Sequence, residues 1–237
     1  MTGQPERALV VFAHPDDVDF AAAGTVALWV RAGVHVTYCM VTDGDAGGQQ
    51  AGVDGASLAE TRRIEQRTAA ALVGVSDVRF LGYPDGQLVA GLELRRAITR
   101  VIRLVRPHRV LTHSPERNYH RIAASHPDHR AVGAATLDAV YPDARNRYAF
   151  PELFTGEGLA EWTVEQVWLR GGPTSNHYVD ITDVLELKIA AIQAHQSQVG
   201  HRRDLPDVLR TRLAAIGYEG GLADGRSAES FFLVRTD

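Results

Sequence analysis

Short apolar runs alternate with longer stretches of helical period along the first 140 residues of the chain. The first run, Ala8 to Ala13, is six consecutive apolar residues rich in Val and Phe. It has the length of a strand and no polar alternation, which predicts a strand buried on both faces of a parallel sheet. Pro15 takes the chain out of that sheet, and Phe20 to Arg31 reads as a helix with Ala22, Val26 and Trp29 or Val30 on one face and Gly33 past its end. The same alternation continues through a strand over Val34 to Val41, a helix from Leu58 to Gly74 and a strand over Val78 to Leu81. Leu94, Ile98, Val101, Ile102 and Val105 then form one stripe of a helix spanning Leu92 to Val105, which Pro107 stops. A fourth strand, Arg109 to Thr112, leads through a polar segment into a helix from Pro127 to about Val140.

Beyond Tyr141 the pattern loosens. Residues 142–160 are rich in Pro, Gly and charge and read as an irregular lid or excursion. Strands are predicted at Trp162 to Leu169, Tyr178 to Ile181 and Phe231 to Val234, with helices from Thr182 or Asp183 through Ala194 and from Pro206 to Gly217. The expectation is an α/β, Rossmann-like fold. A mostly parallel sheet carries helices on both faces, and C-terminal strands extend a single domain over residues 1–237.

Composition narrows the class without naming a function. A net charge of −4 gives no basic excess for a nucleic-acid partner. No apolar run approaches the ~20 residues of a membrane span, and the N-terminus reads into a strand without a leader-like core. The single Cys39 lies within an apolar strand, which excludes an internal disulfide and suits a reducing compartment. A cytoplasmic protein is expected.

Chemistry is concentrated where strands end. The first strand runs into His14-Pro15-Asp16-Asp17, and the fourth leads to His126-Pro127-Asp128-His129. In open α/β sheets, ligands bind beyond the carboxyl ends of the strands. One Asp could simply cap the following helix, but two His-Pro-Asp tripeptides at loop-to-helix junctions are better explained by one shared site. If His14, Asp17 and His129 bind one metal, two imidazoles and a carboxylate without thiolate suit Zn²⁺ and leave a position for water. The same set would accept Fe²⁺ or Co²⁺.

Asp16 is then free to act as general base. His126 is free either to stabilise an oxyanion or to protonate a leaving group, and Asp128 to orient one of the imidazoles. The charges of the second helix, Arg62 among them, read as a solvated face, and Asp85 within Gly82-Tyr83-Pro84-Asp85-Gly86 as a turn former. His113 ends a strand beside this region and could support the metal ligands from behind. His35 and His108 read as surface or strand-edge residues, and His195 as a residue at a helix C-terminus.

The paired motifs closely resemble those of the LmbE-like, or PIG-L-type, zinc-dependent de-N-acetylases. Weaker matches extend the resemblance along the chain: Thr42-Asp43-Gly44, Arg62 with Glu65, Tyr83 to Gly86, Tyr178 to Thr182, Lys188 to Gln198 and Glu229 to Phe231. The resemblance implies hydrolysis of an N-acetyl group from an N-acetylglucosamine-containing small molecule, and a homo-oligomeric assembly. It assigns His14, Asp17 and His129 to zinc, Asp16 as base and His126 as electrostatic or acid partner, and it makes Arg62 and Asp85 sugar contacts. Two positions depart from the family pattern. Val18 followed by Asp19 stands where a Glu usually follows the paired aspartates. Ala124 stands where some relatives have a Tyr, with Tyr119 or a residue of 142–160 as substitute. Competing readings keep the site but change its use, to a thiol-sugar amidase or to a metal- or nucleotide-binding module without catalysis.

Overall fold

The computed structural model describes residues 7–48, 52 and 54–236. The leaderless reading of the N-terminus and part of the loop before the second helix lie outside them. The first strand, β1 (Arg7–Phe12), is central: Ala8 to Phe12 are at most 1% exposed. Ala8, Val10 and Phe12 pack into one core cluster, while Leu9, Val11 and Ala13 pack into another on the opposite face. An uninterrupted apolar run in a strand produces this two-sided burial.

Around β1 the sheet runs β3-β2-β1-β4-β5-β7-β6, with β2 (His35–Thr42), β3 (Asp77–Tyr83), β4 (Arg109–His113) and β5 (Gln166–Arg170) all parallel. The terminal strand β7 (Ala228–Arg235) runs antiparallel to both β5 and β6 (His177–Asp180). The mostly parallel sheet extended by C-terminal strands is therefore as expected. Chain order reverses direction between β1 and β4, which opens a crevice at their carboxyl ends.

Helices cover both faces. α1 (Asp17–Arg31) and α2 (Gly55–Leu72) follow β1 and β2. α3 (Leu92–Val105) buries the whole predicted stripe from Leu94 to Val105, and α4 (Pro127–Asp138) is followed by a segment to Ala144 that is kinked at Tyr141, whose backbone is extended. α4 can lie close to the exit of β4 because of Gly133, where a Cβ would sit 2.5 Å from the His113 carbonyl. α6 (Leu185–Gln193), the single turn α7 (Gln196–Val199) and α8 (Leu205–Glu219) complete the α1 side. The predicted helix from residue 182 is thus a 3₁₀ turn, α6 and a separate α7.

α1 is buried almost all round, and its polar residues are met by partners distant in sequence. Lys188 donates to the Asp19 and Phe20 carbonyls and pairs with Glu229 at 2.8 Å, and Glu229 in turn accepts the Gly24 and Thr25 N–H groups. Both charges of that pair are fully buried. Removing one partner of such a pair typically costs about 3–5 kcal/mol.

The 142–160 segment is not a lid. It carries the short α5 (Pro151–Thr155) and is fastened to the outside of α3: Arg95 binds Asp143, Arg96 binds Glu152, and Arg103 donates to the Asp143, Asn146 and Ala149 carbonyls. Trp162, which follows it, donates to Pro107 just before β4 begins, so its end is anchored at the opposite edge of the sheet from the crevice. Polar composition marked an excursion, but its charges are met by arginines of α3.

Candidate active site

At the carboxyl end of β1 the chain turns so sharply that Asp16 takes φ 88°, a left-handed conformation that strains a residue with a Cβ. Two side chains of α2 hold it there. Gln66 accepts the Asp16 N–H at 2.8 Å, and Arg62 donates to the Pro15 carbonyl at 2.6 Å. Neither aspartate caps α1 through its side chain. Asp17 instead turns its carboxylate back, where Oδ2 accepts the His14 N–H at 2.9 Å.

That carboxylate joins the two motifs. Asp17 Oδ2 lies 3.1 Å from His14 Nδ1, and Asp17 Oδ1 lies 3.1 Å from His129 Nε2. Among the described residues, ligand atoms gather within 4.8 Å in His14, His126 and His129; in Asp17, His113 and His129; and in His14, Asp85 and Asp128. The predicted ligands are thus shared between adjoining groups. His129 falls in a group with His14 and in a group with Asp17, but the three do not form one group, and the two 3.1 Å contacts fall on different oxygens of Asp17. Each pairwise spacing is near the roughly 3.4 Å that separates two donors ~2.1 Å from a tetrahedral centre.

The far side of His14 is also held. Its Nε2 lies 3.2 Å from Asp128 Oδ2 and 3.0 Å from Asp85 Oδ1. Asp128 is fully buried and accepts the Gly86 and Leu88 N–H groups, which ties the loop after β3 to the site. A carboxylate behind a ligating imidazole fixes its tautomer and raises its basicity. Burial disfavours a charge on His14, but Asp17, Asp128 and Asp85 outweigh it and hold its pKa up at about 12. This acidic surround accommodates a cation in place of a proton.

The remaining groups divide by environment. Burial pushes Asp16 up to about 6, against the opposing Arg62 guanidinium 3.4 Å from its carboxylate. For Asp17, burial is overcome by His129 and His14, which hold it well below the carboxylate range. His126 caps α4, with Nδ1 accepting the Asp128 N–H, so the proton of its neutral ring is on Nε2. Burial and the charges of His14 and His129 lower its pKa.

Two expectations change. Arg62 is neither on a solvated face nor open to a sugar: it is 3% exposed, its guanidinium is committed to the Pro15 and Gly44 carbonyls, and its Nε has no partner. Asp85 points at His14 and also accepts the Ala46 N–H. Tyr119 is 81% exposed, and Ala124 lines a cavity beside Asp17.

Sequence reasoning left several neighbours unassigned. His113 stacks on His129 at 4.0 Å and accepts the Ala13 N–H, and burial together with His129 pushes it down to about 4. Its place at a strand's carboxyl end was the available signal. Asp19 accepts from Gln66 and pairs with His195 at 2.8 Å beneath the site, supplying a carboxylate at the helix entry despite Val18. His195 is therefore a buried partner of Asp19 and not merely a residue at a helix end. His177 packs on Trp168.

Comparison with known proteins follows the same lines. The family model described as GlcNAc-PI de-N-acetylase, PIG-L, matches residues 9–140. A diacetylchitobiose deacetylase of Thermococcus kodakarensis is 31% identical over 97% of this chain and 83% of its own length. A probable N-acetyl-alpha-D-glucosaminyl L-malate deacetylase of Bacillus anthracis is 30% identical over 80% of each chain. The solved N,N'-diacetylchitobiose deacetylase of Pyrococcus horikoshii superposes with a TM-score of 0.89 at 30% identity, over 98% of this chain and 85% of that one. With both His-Pro-Asp motifs converging on one crevice, this chain belongs to the PIG-L family of de-N-acetylases, hydrolases of N-acetyl amide bonds.

Proposed function

We propose that the chain is a zinc-dependent deacetylase that removes the N-acetyl group from an N-acetylglucosamine-containing small molecule, releasing acetate and a free amine. The observation that carries the reading is the Asp17 carboxylate set 3.1 Å from both His14 Nδ1 and His129 Nε2, with Asp16 on the same turn. His14, Asp17 and His129 would hold the ion. Two imidazoles and a carboxylate with no thiolate match the donor set of catalytic zinc. When bound, Zn²⁺ lowers the pKa of the attacking water towards neutrality and polarises the amide carbonyl.

Asp16 takes the water's proton and later delivers it to the amine nitrogen as the C–N bond breaks. Its pKa near 6 makes the carboxylate a competent acceptor and the acid a competent donor close to neutral pH. His126 offers its Nε2–H to the oxyanion that develops on the amide oxygen. Asp128 and Asp85 hold the His14 ring, and Arg62 and Gln66 hold the turn that carries Asp16. This gives Arg62 and Asp85 positioning roles in place of sugar contact. The malate conjugate named for the Bacillus anthracis relative and the chitobiose named for the archaeal ones both present the required N-acetylglucosamine unit.

Acetate release from N-acetylglucosamine and diacetylchitobiose by metal-free protein titrated with Zn²⁺ tests the reading. Activity is expected to rise to a plateau at one equivalent. Full activity without added metal in protein shown to be zinc-free would contradict it.

A further inference from the structure

A cavity of about 210 Å³ opens beside Asp17 and His129, with Phe12 and His113 in its lining, and three arginines converge on it: Arg121, Arg170 and Arg212. They come from separate parts of the fold. Arg121 lies in the segment leading to the second motif, Arg170 ends β5, and Arg212 is on α8.

Other arginines of the fold are met by carboxylates, as Arg95, Arg96 and Arg100 are, by backbone carbonyls, as Arg103 is, or by aromatic rings, as Arg109 is. Among the described residues, Arg121, Arg170 and Arg212 have no carboxylate within 4.0 Å. Arg170 is fixed by two hydrogen bonds of 2.8 Å from Nη1 to the Ser230 carbonyl and hydroxyl. Burial, and then the nearby charge of Arg121, depress Arg170 against the pull of Glu229, which is itself committed to Lys188. Arg121 is exposed overall, with partial desolvation lowering its guanidinium, whereas Arg170 and Arg212 are half-buried. The single carboxylate lining the cavity, Asp17, is engaged by His14 and His129.

Like charges gathered in a partly desolvated cavity raise its energy until an anion enters. Guanidinium forks match the paired oxygens of a carboxylate or phosphate. The volume is below the ~300 Å³ of pockets that enclose a whole drug-sized ligand, so the cavity takes a substituent. We propose that Arg121, Arg170 and Arg212 form an anion subsite, and that the substrate is an N-acetylamino-sugar conjugate bearing a carboxylate or phosphate. This rests on the deacetylase reading above and gives it a substrate class. Because Asp17 and His129 line the same cavity, the anionic group sits close to the reacting amide. Ala124 in the same wall leaves the arginines room that a larger side chain would occupy.

The test compares acetate release by the zinc-loaded protein from the methyl glycoside of N-acetylglucosamine, its carboxymethyl glycoside and N-acetylglucosamine 1-phosphate. At least one anionic substrate is expected to be favoured over the neutral one by about tenfold or more in kcat/KM, chiefly through KM, as charge-assisted contacts of this kind allow. Which of the two is favoured distinguishes carboxylate from phosphate. In Arg121→Gln and Arg212→Gln the ratio of anionic to neutral kcat/KM should fall towards one. Equal use of all three substrates, or a preference surviving both substitutions, overturns the subsite.

A second measurement reads the subsite without turnover and without metal. Calorimetric titration of metal-free protein with inorganic phosphate and with N-acetylglucosamine 1-phosphate should show saturable binding that weakens in both variants. Absence of binding overturns the proposal. Failure of all three substrates with binding intact would overturn the deacetylase reading and leave the anion site standing.

Discussion

Asp16 shows how much one residue depends on its neighbours. A non-glycine residue at φ 88° carries strain of about 1–3 kcal/mol, which persists only where surrounding contacts impose it. Here they are the Arg62 bond to Pro15 and the Gln66 bond to the Asp16 N–H. Gln66 is itself set by donating to Asp19, so the base is placed through a chain of buried polar atoms. In Gln66→Met the volume is kept and both hydrogen bonds are lost. Small misplacements of a reacting group are costly to catalysis, so kcat should fall by roughly tenfold or more while KM and bound zinc change little. Steady-state kinetics beside a zinc assay checks this; an unchanged kcat, or loss of zinc in proportion to activity, would contradict it. The sequence did not disclose this role. A Gln on a charged helix has the same pattern whether it faces water or Asp16, and its partner is 50 positions away.

At the scale of elements, the segments matched only weakly by family resemblance turn out to brace α1. Glu65 of α2 accepts the Ser197 N–H and hydroxyl, Lys188 of α6 reaches the carbonyls at the start of α1, and His195 between α6 and α7 meets Asp19. Burial disfavours a charge on His195, but Asp19, reinforced by Asp16 and Glu65, raises its pKa above the ordinary value. A histidine raised in the folded state contributes stability that is fully present below its unfolded pKa of ~6.5 and is lost as pH rises through the folded value. With zinc held saturating, the thermal midpoint of the wild type should therefore exceed that of His195→Gln most at acidic pH, and the gap should narrow as pH rises. A gap that is constant, or that widens with pH, would contradict this assignment. α3 is the converse case, since its stripe was fully legible. Apolar periodicity reports one buried face directly, whereas a polar residue gives no sign of its partner.

Across the whole molecule, the mostly parallel sheet was readable from strands alternating with helices, and the motif after β1 was placed at a carboxyl end by that alternation, whereas the strand order that puts the switch point between β1 and β4 was not. Residues 142–160 were legible as an excursion, but the choice between lid and strap was not, because composition identifies a loop without saying which surface holds it; the arginines of α3 decide that. The two motifs were legible as one site because the His-Pro-Asp tripeptide recurs at two loop-to-helix junctions; that their strands, β1 and β4, are neighbours was not legible. The arginine cavity was not, since its members stand far apart in sequence and meet only through the β4, β5 and α8 packing.

The division of labour between adjacent aspartates is the centre of this account, and paired substitutions test it most directly. Bound zinc and acetate release would be measured together on Asp16→Asn and His129→Ala. Asp16→Asn should keep one zinc and lose about 10²–10⁴-fold in turnover, the usual worth of a general base, whereas His129→Ala should lose the zinc and the activity together. Retained zinc with near-normal turnover in both variants would contradict it.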